Sequence, residues 1–93
     1  MSEQSFRMKH GRTIQQHEAS GAAVVVTVQT VGGTAWQKTA YRVTQKARAG
    51  CKRIVVMTNR ENPALEKVEG LVGDLNLTLA GVNVVFEVYP LRD

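Results

Sequence analysis

The chain has 93 residues, 43% of them hydrophobic and 22% charged, with a formal net charge of +4. That describes one domain, residues 1–93, with a modest core, and no apolar run approaches the ~20 residues of a membrane span. Cys51 is the only cysteine, so an intramolecular disulfide is excluded and a cytoplasmic setting is expected.

The charge is unevenly placed. Residues 1–53 hold nine basic side chains against Glu3 and Glu18, whereas residues 54–93 hold three against six acids. No acid occurs between Glu18 and Glu61. A split of this kind suits a polyanion partner, an acidic protein surface, or head-to-tail attraction between copies.

Taken in chain order, the N-terminus has no apolar signal-peptide core. Phe6 and Met8 alternate with Arg7 and Lys9, and His10-Gly11 has turn chemistry. Residues 1–18 therefore read as a β-hairpin or as a flexible basic arm. Ala19-Ser20-Gly21 is a turn. Residues 22–30, AAVVVTVQT, form a strand with Val24, Val26 and Val28 on one face.

Val31-Gly32-Gly33 leads into a helix over residues 34–49. Thr34 and Gln37 have capping-box spacing, and Trp36, Ala40, Val43 and Ala47 make its apolar stripe. Gly50 stands where a left-handed residue ends a helix at least cost. Ile54-Val55-Val56-Met57 is apolar on both faces, as a covered parallel strand requires.

Asn62 and Pro63 read as the cap and first position of a second helix, with Leu65, Val68, Val72 and Leu75 as its apolar stripe. Gly70 and Gly73 interrupt it, which implies either close packing on the sheet or an early end. Gly81 precedes a last strand, Val82 to Tyr89, and Pro90 stops it. The fold expected is α/β. A small sheet has a β-α-β-α-β core of three parallel strands and two helices, preceded by the N-terminal hairpin or arm. Two helices leave apolar sheet uncovered, so self-association or the N-terminal segment must bury the rest.

Strand, helix and strand with GCKRIVVMTN resemble the core of restriction-endonuclease-type folds over less than half of the chain. That resemblance implies an acid-x-Lys pair holding a metal ion on the strand before the helix. Thr27-Val28-Gln29 stands there instead, so nuclease chemistry is not expected. Cys51, His10 and His17 make no zinc pattern, and neither a metal nor a cofactor is expected. Both histidines lie in residues 1–18, which leaves no positioned base for a Ser/His or Cys/His site, and no enzyme activity is expected.

Two binding regions remain. Lys38, Arg42 and Lys46 recur every four residues along ~12 Å of helix, and Arg48, Lys52 and Arg53 follow. Such cations can contact nucleic acid or an acidic partner. A small anion could instead be held by the loop Gly32, Gly33 and Thr34 with Arg60, at the carboxyl end of the sheet.

Overall fold

A computed structural model of the protein describes residues 3–28 and 35–90. Three strands form one fully parallel sheet: β1 (Ala23–Thr27), β2 (Arg53–Asn59) and β3 (Asn83–Tyr89), in that order across the sheet. The register places Val25 beside Val56, and Val56 beside Phe86. The α/β class and the three-strand parallel core expected of the sequence are thus present.

Each crossover contains a helix. A 3-10 turn (Ala35–Lys38) leads into α3 (Thr39–Arg48) between β1 and β2. The helix α4 (Leu65–Thr78) lies between β2 and β3. Val43 of α3 and Val68, Val72 and Leu75 of α4 pack with Val25, Ile54, Val56 and Val84 in one apolar cluster. Both helices therefore cover the same face, as two parallel crossovers of one hand must.

The opposite face corrects the expectation for the N-terminus. Residues 3–18 hold neither a hairpin nor a loose arm: two helices, α1 (Glu3–Lys9) and α2 (Gly11–Ala19), lie there. Phe6 and Ile14 pack on Val24, Val26, Val55 and Met57. Met8, the second residue of the alternation, is 78% exposed. The physical cause is that a sheet apolar on both faces must be covered on both. The stripe that does it, Phe6, His10, Ile14 and His17, has helical spacing. The molecule thus has three layers, two helices on each side of the sheet.

Smaller differences concern element ends. The first strand stops at Thr27 rather than residue 30, and the helix expected from residue 34 starts as a 3-10 turn, with regular α-helix only from Thr39. Thr34, its expected cap, lies outside the described residues. Asn62 acts ahead of α4 rather than as its cap: its Oδ1 accepts the Ala64 N–H at 2.8 Å, an Asx turn two residues upstream. Gly70 and Gly73 neither pack closely nor end α4. Both are exposed, and an added Cβ would meet nothing within 4 Å.

At the amino end of the sheet, each helix turns into its strand at a left-handed glycine: Gly21, Gly50 (φ 99°) and Gly81. The Gly50 turn is tied by Gly50 N–H to Ala47 O (3.0 Å) and Cys51 N–H to Lys46 O (3.1 Å), so the last carbonyls of α3 are used.

Side chains also occupy the two sheet edges. The Asn76 amide donates to Val84 O and accepts from Val84 N–H, both at 2.7 Å, as a neighbouring strand would. On the other edge, the Arg42 guanidinium donates to Val26 O at 2.6 Å. Each contact removes part of a template for unwanted strand pairing.

Candidate polyanion interface

The six cations expected to form one binding set are divided by the fold. Arg42 is withdrawn from it. Besides Val26 O, its Nη1 lies 3.2 Å from Glu3 Oε1, and the side chain is only 36% exposed. This corrects the expectation of a solvent-facing row Lys38-Arg42-Lys46. The reason is the position of β1 at the edge of the sheet: its unpaired Val26 carbonyl lies within reach of the long Arg42 side chain and accepts from it. Lys38, on the 3-10 turn, is exposed at the carboxyl end of the sheet, a full helix away from the remaining four.

Those four stay together. Lys46 and Arg48 are in the last turn of α3, and Lys52 and Arg53 follow the Gly50 turn into β2. All four are exposed. The turn is compact because Gly50 reverses the chain in two residues, and the backbone bonds at Ala47 and Lys46 hold it. Among the described residues, no ion pair joins any of the four to a carboxylate. Arg53 donates instead to Ser20 Oγ at 3.3 Å, and Ser20 in turn donates to His17 O at 2.7 Å. The helix C-terminus beneath them, with its partial negative charge, favours cations there.

At the carboxyl end, Gly32, Gly33 and Thr34 lie outside the described residues. Arg60 is exposed, and its backbone N–H donates to Tyr89 O at 2.7 Å. Beneath it is a group of buried polar side chains that sequence reasoning missed. Thr27 and Thr39 share a hydroxyl hydrogen bond of 2.8 Å. Thr58 donates to Thr27 O at 2.5 Å and accepts from Asn62 Nδ2 at 3.0 Å. Every buried side-chain polar atom among the described residues has a partner. Each of these side-chain polar atoms is therefore already engaged inside the fold. The signal in the sequence was the threonine or asparagine ending β1 and β2, Thr27 and Thr58-Asn59.

The histidines were also misjudged. His17 Nε2 is 2.8 Å from Glu87 Oε1 on β3, and the Tyr89 hydroxyl donates to the same oxygen at 2.8 Å. His10 Nε2 is 3.3 Å from Pro90 O, and its ring lies tilted between those of Phe6 (4.6 Å) and Tyr89 (4.9 Å). Burial, the hydrogen bond to Glu87 and that carboxylate's charge push the Tyr89 phenol up to about 12. The arrangement joins the N-terminal helices to the edge strand. It resembles a base held by a carboxylate, but the described residues surround it with no cavity. Nor do they bring three metal-ligating side chains together anywhere.

Comparison of the chain with protein-family models, with curated proteins and with solved structures found no match. Among the described residues, no helix is long and apolar enough to cross a membrane.

Proposed function

We propose that the chain is a non-enzymatic binding module that contacts nucleic acid through the α3–β2 turn, with Lys46, Arg48, Lys52 and Arg53 as the phosphate contacts. The observation that carries this reading is the crowding of four exposed cations around one tight turn, without an acidic partner among the described residues. Four charges on a rigid turn match the spacing of successive phosphates better than four on a mobile arm, because little side-chain-bearing backbone has to be ordered on binding.

The position of the acids favours the same surface. Glu66, Glu69 and Asp74 are exposed on α4, which packs beside α3. A polyanion laid along the outer face of α3 would run beside all three, whereas one at the amino end of the sheet is removed from Glu66 and Glu69 at the start of α4 and comes near only Asp74 and Glu18. The lone, half-buried Cys51 fits a reducing, cytoplasmic compartment.

Fluorescence anisotropy with a labelled DNA duplex, followed as a function of salt, tests the reading. Four phosphate contacts give a slope of log K against log salt of about −3.6. Reversing Lys46, Arg48, Lys52 and Arg53 to Glu removes binding and leaves the fold intact, since all four are exposed. Lys38→Glu has a smaller effect. A wild-type chain that ignores DNA and RNA at low salt contradicts the proposal.

A further inference from the structure

The layer formed by α3 and α4 presents two unlike rows to solvent. On α3 and the 3-10 turn that leads into it the row is Lys38, Tyr41 and Gln45, all exposed, with Tyr41 at 67%. On α4 it is Glu66, Gly70, Gly73 and Leu77, also exposed, with Leu77 at 86%. Both rows step by three and four residues in turn, the spacing of one helix face. One row is large and basic. The other is acidic, bare of side chains at two consecutive positions, and closed by a leucine.

We infer that this layer is a self-association surface, on which α3 of one copy packs against α4 of a second and α4 against α3. The argument for a second copy is geometric. Both helices start at the carboxyl end of the sheet, because each follows a parallel strand. A two-fold axis parallel to the helices, lying in the plane of contact, therefore sets each α3 over the partner's α4 in the same direction. Both complementary pairs form at once, as an isologous interface requires. In that register Lys38 meets the partner's Glu66, Tyr41 the partner's Gly70, and Gln45 the partner's Gly73. The aromatic ring enters the space where an added Cβ would find no neighbour.

Charge complementarity supports the pairing. Among the described residues α3 has no acid, while α4 carries Glu66, Glu69 and Asp74 against Lys67. Lys67 turns away from this row, its Nζ 5.3 Å over the Trp36 ring. The size of the surface sets the strength. Helices of ~15 and ~21 Å, side by side at ~10 Å, present roughly 400 Å² per copy, or ~800 Å² in all. That is below the range of stable complexes, so the dimer is weak and reversible. The surface is separate from the α3–β2 turn, and its failure would leave the nucleic-acid reading standing.

The test is sedimentation velocity on the nuclease-treated full chain across about a hundred-fold range of concentration, at low and high salt. The mass should rise from monomer towards dimer with concentration, less so at high salt. Lys38→Glu and Glu66→Lys should each weaken association about ten-fold, and the double variant should recover it, because the pair is re-formed with its signs exchanged. Leu77→Gln and Tyr41→Ala, both at exposed sites, should weaken it with unchanged circular dichroism. A monomer throughout the range overturns the inference and leaves the layer to a different partner. So does a dimer that ignores these variants, or a double variant no better than the singles.

Discussion

The two faces of the sheet are covered by different means. Under α3 and α4 the contact is mainly aliphatic, with Val25, Val43, Ile54, Val56, Val68 and Val84 nearly or fully buried and Trp36 and Phe86 packed at its margin. Under α1 and α2 an apolar patch around Phe6 and Ile14 is extended by polar fastenings, His17 to Glu87 and His10 to Pro90. Burial falls separately, from the central strand to the edge strand on which the polar fastenings sit. Six of the seven β2 residues are buried, but only Val84 is on β3. The difference shows what each face contributes. The aliphatic face supplies most of the cohesion, because buried area scales with hydrophobic free energy. The mixed face adds direction, because its hydrogen bonds fix which strand the N-terminal helices rest against.

The comparison can be broken most severely from the aliphatic side. Val43→Asp places an unpaired charge at a fully buried position, and the expected outcome in a thermal melt is an unfolded chain or the loss of several kcal/mol. Near-wild-type stability would mean that α3 does not pack on the sheet as described. On the mixed face, Phe6→Ala should cost ~3–5 kcal/mol, as removal of a fully buried aromatic side chain does. Urea denaturation measures it, and a negligible cost would return residues 3–19 to the status of a loose arm.

A finer test uses pH. Below pH 10 the Tyr89 phenol is protonated in the folded and unfolded chain alike, and its contribution to stability is complete. From 10 to about 12 the unfolded chain ionises first, so stability falls across that window, and above it this group removes no more. Tyr89→Phe should flatten the alkaline limb of the stability profile, at a baseline cost of about 1 kcal/mol for the lost hydrogen bond. An unchanged alkaline limb in that variant would show that the phenol is not held as described. The smallest effect has the opposite sign. Gly70→Ala and Gly73→Ala meet open space inside α4, and each should stabilise by ~0.5–1 kcal/mol. A loss at either position would mean that something covers it, which the self-association of this layer provides at high concentration.

The aliphatic face was legible in the sequence because its signals are local. Runs such as Ile54 to Met57 and the stripe Leu65, Val68, Val72, Leu75 need no partner to be recognised, and Gly50 and Gly81 mark their ends. The mixed face was not legible, because half of its helical stripe is histidine, which reads as polar until its partners are known. Those partners, Glu87 and Pro90, lie 70 and 80 residues away in sequence. The same limit governs the cations. Charge and spacing identified Lys38, Arg42, Lys46, Arg48, Lys52 and Arg53 as a set. That Arg42 closes a sheet edge follows only from β1 being the outer strand, a property of the whole fold. Asn76, which closes the other edge, carried no sequence signal at all. The Gly32, Gly33 and Thr34 loop lies outside the described residues, so of the anion site only Arg60 has a place in the fold.

The nucleic-acid reading is tested most directly by a backbone amide NMR titration with a short DNA duplex, which reports where contact occurs as well as whether it does. The shifts are expected to concentrate from Lys46 to Arg53, with Ser20, the hydrogen-bond partner of Arg53, moving with them. The amides of α4 should stay in place. Shifts centred instead on Arg60 and the carboxyl end of the sheet, or no shifts at low salt, would contradict it.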